Sequence, residues 1–385
     1  MYILRFLLDV LFILSSFYCI YLLFFTIASK INATGRNKEP RPEKKILVLI
    51  PAYAEDRVIF EAVESFLKQD YPKEHYEVCV ISDHMQEETN QKLAGLPVRL
   101  EIAQFPEGST KVKALNLALS HAHHFDIAII MDADNVVEAT FLTEINCAFA
   151  PGVQVVQSHR KAKSTDTPFQ MLDAISEEIN NSIFRQGHYN AGLSAALIGS
   201  GMAFNFELIK STLSDFSSVG GFDKELEHVL LKQRVRFHYL PDTFVYDEKI
   251  KKPEDFSKQR RRWLSAQWIY FKRFSPHFLT AIREGNIDFA NKILQMMMLP
   301  RVLFLGGLLF LSLLMTLIHP ASSLRWWILS GLVVFSLCLA IPSALWNRKI
   351  FRAMFYLGHA FVLMLINLFK LKGANKKFLH TPHGE

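Results

Sequence analysis

The sequence predicts an α/β domain whose parallel sheet is covered on both faces by helices, held between membrane helices at the two ends of the chain. Four short aliphatic runs recur in its middle: "ILVLIPAY", "YEVCVISD", "FDIAIIMDAD" and "VQVVQSHR". The intervals between the first three carry helical patterns, Val58 to Lys68 and Lys111 to His121. Unbroken aliphatic strands alternating with helices belong to sheets buried on both sides. The ends of the chain are apolar for much longer stretches, and half of the 385 residues are hydrophobic, more than a soluble core of this length needs.

Taken in order, Leu7 to Ala28 is a run interrupted by one charge, Asp9, and is long enough to cross a hydrocarbon core of about 30 Å. It exceeds the apolar segment of a secretory signal and has no small-residue cleavage site, so residues 1–29 read as a membrane anchor. Residues 30–43, polar and bearing prolines, read as a linker. A globular domain follows over 44–275. Residues 276–385 hold an interfacial segment, three apolar runs and a basic tail. The runs are Met296 to Ile318, Trp326 to Trp346 and Ala353 to Leu368, of which two or three cross. Lys30, Arg36, Lys38, Arg41, Lys44 and Lys45 crowd the exit of the anchor while only Arg5 precedes it, which places the globular domain in the cytoplasm beneath the cell (inner) membrane. A third crossing at the C-terminus would put Lys370, Lys372, Lys376 and Lys377 on the opposite side, against the same rule. The net charge of +6 resides mostly in these juxtamembrane clusters and favours anionic headgroups, not nucleic acid. Cys19, Cys79, Cys147 and Cys338 show no metal-binding spacing.

The strands all run into polar residues. In a sheet of this kind ligands sit beyond the carboxyl ends of the strands, so Tyr53, Glu55 and Asp56, then Ser82 and Asp83, then Asp132 and Asp134 gather around one mouth. Asp132 and Asp134 are one residue apart, and two carboxylates that close resist joint ionisation unless a cation lies beside them. Hard oxygen ligands with neither His nor Cys nearby point to Mg²⁺ or Mn²⁺, ions that keep positions open for phosphate oxygens.

The ordered set "PAYAED", "ISD", "KVKALNLAL", "MDADN", "GSGMAF", "GGFDKELE" and "QRRRW" resembles the membrane-bound glycosyltransferases of family 2, among them cellulose, chitin, hyaluronan and poly-N-acetylglucosamine synthases and ceramide glucosyltransferases. The resemblance covers roughly Lys44 to Trp268. It implies a Rossmann-like GT-A fold that binds a nucleotide-sugar, most simply a UDP-sugar. It assigns Pro51, Ala52, Tyr53 and Glu55 to the base and ribose pocket, Asp83 to the donor base, and Lys111 to the vicinity of the diphosphate. Asp132 and Asp134 match the Asp-x-Asp motif, with Asp134 the direct metal ligand. Gly199, Ser200 and Gly201 match the loop where the acceptor enters.

One motif departs from the pattern. The family shows Thr-Glu-Asp before a leucine and an arginine, its aspartate being the base that deprotonates the acceptor. Counting back from Leu231 and Arg234, the triplet here is Leu226, Glu227, His228. Glu227 is the expected base, with His228, Glu225 and Asp223 as alternatives. In "QRRRW", Gln259 and Arg262 are assigned to the donor diphosphate and Trp263 to the acceptor sugar. The tail Lys376 to His383 resembles a family segment that returns to the active site. The resemblance thus implies an inverting transfer to a lipid or a growing polysaccharide at the bilayer, by a chain that acts alone, as a homo-oligomer or with an envelope-biosynthesis partner. The altered base motif leaves open a non-catalytic scaffold that binds nucleotide-sugar within an envelope polysaccharide complex.

Overall fold

The computed structural model describes residues 2–31, 41–216 and 220–370. Most of the expected linker and the tail Lys376 to His383 lie outside the described residues. The sheet has eight strands: β1 (Ile46–Tyr53), β2 (Tyr76–Asp83), β3 (Arg99–Ala103), β4 (Ile127–Ile130), β5 (Val136–Val137), β6 (Val155–Ala162), β7 (Met202–Asn205) and β8 (Phe237–Asp247), in the order β3-β2-β1-β4-β7-β6-β8-β5. The first three aliphatic runs form the parallel half, β1 pairing in parallel with β2 and β4.

The fourth run corrects the expectation of a parallel sheet throughout. β6 does not adjoin the other three; β7 inserts antiparallel to both β4 and β6, and β6 runs parallel to β8. The sheet is therefore mixed. Alternation explains why β1 is aliphatic at every position. Leu47 and Leu49 face the core closed by the helix Lys111–His121, while Ile46, Val48 and Ile50 face the core closed by Ile59–Leu67.

Among the described residues three helices are long and apolar enough to cross a membrane: Arg5–Lys30, Arg301–Ile318 and Pro320–Ala340. The expected run from Met296 is shorter than read, because Met296 and Met297 end a preceding helix, Ile287–Met297, and Pro300 separates it from Arg301–Ile318. The run from Ala353 is not one straight helix. Arg348–Phe355 and Leu357–Phe369 meet at a 44° bend. The second of these packs on Pro253–Phe274, where Asn367 donates to the Ser257 carbonyl at 3.0 Å. Asp9, the one charge in the anchor, is answered by Arg325 at 2.8 Å.

The N-terminal helix Tyr2–Lys30, the expected anchor, docks on the globular domain as well as on Pro320–Ala340. It lies against a π-helical turn, Asn181–Gly187, where a Cβ built on Gly187 would fall 2.1 Å from the Phe25 carbonyl oxygen. Phe25 stacks on His188 with centroids 3.7 Å apart, and Tyr21 donates to Asn291 at 2.8 Å. Glycine at 187 is thus required by backbone-to-backbone contact. Gly187→Val should lower stability by roughly 1–3 kcal/mol, the range for overpacking a filled contact. Thermal unfolding of the full chain in detergent checks this, and an unchanged midpoint would mean that the anchor is not held there.

Candidate active site

A cavity of about 680 Å³ opens at the carboxyl ends of β1, β2 and β4 and extends to Tyr18 of the N-terminal helix, to Arg301 and Val302, and to Met364. Pro51, Ala52, Tyr53 and Glu55 line one end of it together with Asp83. In-register pairing sets Tyr53 beside Asp83, and His84 brings its ring to 5.0 Å from that of Tyr53. Asp83 is almost wholly buried, and its carboxylate meets His84 Nδ1 at 2.6 Å.

Asp132 and Asp134 follow β4 and both line the cavity. Lys111, at the start of its helix, donates to Asp132 and to the Gly199 carbonyl at 2.8 Å. Ser200 Oγ accepts from the Asp132 backbone N–H at 2.9 Å and donates to Asn135. Asn135 Nδ2 in turn donates to Asp134 at 2.9 Å and to Asp247 at 3.1 Å. A lysine and an amide thereby answer the repulsion that the sequence raised. Among the described residues no three His, Cys, Asp or Glu side chains are grouped to hold a metal. An ion here would take one or two carboxylates and complete its shell from diphosphate and water, the habit of Mg²⁺ and Mn²⁺.

Of the expected acceptor loop only Gly199 lines the cavity. Ser200 is buried in the clamp just described. Gly201, at φ +62°, has no room for a side chain, since a Cβ would fall 2.4 Å from Ser158 Oγ and 2.9 Å from Val245. These two residues support the site from behind.

Glu227, the expected base, is fully buried and does not line the cavity. Its carboxylate accepts from the Leu197 backbone N–H at 3.0 Å and pairs with Lys292 at 3.0 Å. Burial would raise its pKa, but Lys224 and Lys292 outweigh burial and hold it down at about 2. A carboxylate so tightly answered is a poor base and has no path to an acceptor. His228 is buried against Phe274, donates from Nδ1 to the Lys224 carbonyl at 2.7 Å, and is pushed down to about 4 by burial. Glu225 pairs with Arg273. Asp223 alone of the four candidates lines the cavity, one helical turn before Glu227 on the same face of Phe222–Lys232. It lies 3.9 Å from where a Cβ on Gly199 would stand, and burial raises its carboxyl above the ordinary range.

Gln259, Arg262 and Trp263 all line the cavity from the helix Pro253–Phe274. One face of Trp263 is already covered by the Arg260 guanidinium, 4.3 Å from the ring centroid, leaving the indole 41% exposed. Sequence reasoning missed a buried charge network on the same wall. Glu177 pairs with Arg160 at 2.8 Å and Arg185 at 2.9 Å, Asp247 with Lys249 at 2.7 Å, and Asp173 with Arg260. Burial would raise the pKa of Glu177, but Arg160, Arg185 and Lys249 hold it well below its usual range. The signal available was charge within otherwise apolar strand sequence, including Arg160 in β6 and Asp247 at the end of β8.

A family model described as "Glycosyltransferase like family 2" matches residues 42–266. A curated relative, the probable glycosyltransferase YdaM of Bacillus subtilis (strain 168), is 20% identical over an alignment of 266 residues that covers 63% of this chain and 60% of that one. The chain thus spans about 60% of the length of that relative. The fold is similar to that of the mannosyltransferase PcManGT from Pyrobaculum calidifontis, solved with GDP-Man and Mn²⁺: TM-score 0.54, 18% identity, 89% of this chain and 99% of that one. S. aureus TarS 1-349 with UDP-GlcNAc gives a TM-score of 0.44 at 17% identity over 86% of this chain and 91% of that one.

The burial of Glu227 has a measurable consequence. Removing its charge leaves Lys292 buried without its carboxylate, so Glu227→Gln should destabilise the fold by about 3–5 kcal/mol. The paired substitution Glu227→Leu with Lys292→Met should recover much of that loss. Denaturant titration of the three proteins decides it: a Glu227→Gln protein as stable as the parent would contradict a structural ion pair.

Proposed function

The chain belongs to glycosyltransferase family 2, and on that premise we propose that it is a membrane-bound inverting enzyme that moves a sugar from a nucleotide-sugar to a lipid acceptor. The observation that carries this reading is the continuity of the cavity. It joins the carboxylates at the strand ends to Tyr18 of the anchor, Val302 of a membrane helix and Met364 of the bent pair. A lipid entering from the bilayer reaches such a site sideways, without the enclosed channel that a growing polysaccharide requires. The scaffold reading rested on the missing base aspartate, and an aspartate in the cavity removes its motive. The anchor's basic exit and the basic turn at Arg348, Lys349 and Arg352 support a cytoplasmic face for the domain.

In this mechanism the donor base lies by Tyr53 and Asp83, where a carboxylate accepts the imide N–H that uracil and guanine both offer. Asp132 and Asp134 would hold Mg²⁺ or Mn²⁺, which supplies positive charge to the departing diphosphate. PcManGT, with its GDP-Man and Mn²⁺, is consistent with that assignment. Lys111 and Arg262 add cationic charge on the same side. Asp223 takes the proton of the acceptor hydroxyl as its oxygen attacks the anomeric carbon opposite the diphosphate. The bond to the diphosphate breaks as the new glycosidic bond forms, and configuration inverts. Gly199, lacking a side chain, lets the acceptor come close to Asp223.

Two substitutions test these roles. Asp223→Asn should cut transfer by about 10²–10⁴-fold, the usual contribution of a positioned base, while nucleotide binding persists; near-normal turnover would move the base elsewhere. A base works unprotonated, and burial raises this one, so kcat/KM should climb with pH along an acid limb lying above the ordinary aspartate range. Asp134→Ala should abolish the Mn²⁺-dependent part of nucleotide-sugar affinity in calorimetric titration. If the wild-type chain releases no nucleoside diphosphate from a panel of UDP- and GDP-sugars in lipid nanodiscs, the enzymatic reading fails.

A further inference from the structure

Arg301 opens the membrane helix Arg301–Ile318 directly after Pro300, and its side chain lines the membrane end of the cavity. Its Nη2 donates to two neutral oxygens, the Ser176 carbonyl at 3.3 Å and Asn180 Oδ1 at 2.8 Å, and the guanidinium lies 5.6 Å from the Phe184 ring centroid. Its Nη1 is buried with no hydrogen-bond partner. No carboxylate among the described residues stands within ion-pair distance of it, and its neighbours have none to spare. Glu177 is shared by Arg160 and Arg185, Asp247 by Lys249 and Arg160, and Asp173 is held by Arg260. Arg160, Arg185, Lys249 and Arg260 thus share these three carboxylates, and Arg301 pairs with none of them. A buried guanidinium with an unanswered N–H is unfavourable, and an incoming anion reverses that.

The walls say what kind of anion. Leu172, Met298, Leu299, Val302, Leu357 and Met364 line the same cavity, and such a surface suits an alkyl chain. We propose that the membrane end of the cavity binds the phosphate of an anionic lipid on Arg301, with the chain of that lipid along the apolar wall, and that this lipid is the acceptor. A phosphate accepts strong N–H bonds from a guanidinium, and the buried Nη1 can supply them once the side chain turns that nitrogen from the wall toward the cavity. The acceptor role rests on the glycosyltransferase reading; the binding site does not.

The test uses the full chain in detergent micelles, titrated with a fluorescent phosphatidic acid and with the matching diacylglycerol, which lacks only the phosphate. The wild type should bind phosphatidic acid well above diacylglycerol. Arg301→Gln should weaken phosphatidic acid binding about tenfold or more, as loss of a hydrogen bond to a charged group does. Arg301→Lys, which keeps the charge and guards against unfolding as the cause, should retain part of the affinity. Equal binding of the two lipids, or unchanged affinity in Arg301→Gln, would overturn the proposal. So would displacement of the lipid by millimolar inorganic phosphate or by UDP, since either would give Arg301 to soluble anions. Mn²⁺-dependent UDP and GDP binding is measured in the same preparations. If neither nucleotide binds while phosphatidic acid still does, the glycosyltransferase reading falls and the lipid site stands.

Discussion

Two carboxylates delivered one residue apart by a buried strand must be held against their own repulsion, and much of the surrounding architecture serves that requirement. Lys111 neutralises Asp132, Ser200 fixes the backbone of Asp132, and Asn135 orients Asp134. Each support comes from a different part of the chain. Lys111 stands at the start of its helix because Thr110 caps it, accepting from the Lys113 N–H at 3.2 Å. Ser200 arrives on the connection into β7, whose antiparallel insertion beside β4 brings that loop across the strand end. Gly201 then has to be glycine, because Ser158 and Val245 occupy the place of a side chain.

The same logic, charge answered by charge inside a low-dielectric wall, places the helix Phe222–Lys232. Glu227 ties it to Lys292 in the helix Ile287–Met297 and also accepts from the backbone of Leu197, two residues before Gly199. One glutamate therefore sets both the helix that carries Asp223 and the loop that faces it. Buried pairs of this kind contribute little net stability compared with apolar packing, yet breaking one is costly. That asymmetry is what makes them effective positioning devices.

The sequence made legible what depends on long regular patterns. β1, β2 and β4 were readable as aliphatic runs, and Tyr53, Glu55, Asp83, Asp132 and Asp134 at or just past their carboxyl ends line one cavity, whereas Asp56 and Ser82 do not: Ser82 turns to Asn90 and Asp56 to the Gln86 backbone. β7 was not, because "MAFN" is four residues long and carries no periodic signal. Glu227, the expected base, lies away from the cavity for a geometric reason. Counting back from Arg234 locates the charged triplet, but which carboxylate faces the cavity depends on where the helix begins. Starting at Phe222 after a left-handed Gly221, its first turn exposes Asp223 and its second buries Glu227. Hydrophobicity, likewise, located the apolar runs near the C-terminus, but not the bend at Tyr356, on either side of which the two helices pack on different partners, Pro168–Asn180 and Pro253–Phe274. The charge network of Arg160, Glu177 and Asp247 had no motif to announce it, since its members come from β6, β8 and the capped helix Pro168–Asn180.

The contact of Gly187 with the Phe25 carbonyl bears on more than stability. A backbone pressed against a backbone, with no side chain between them to flex, leaves the globular domain little freedom to rise or tilt relative to its anchor. If the N-terminal helix crosses a bilayer as proposed, Asp223 is then held at one height above its plane, as on a depth gauge. On that proposal, selection among acceptors is partly a matter of how far a hydroxyl projects from the membrane, a dimension set by the N-terminal helix and not by the walls of the site.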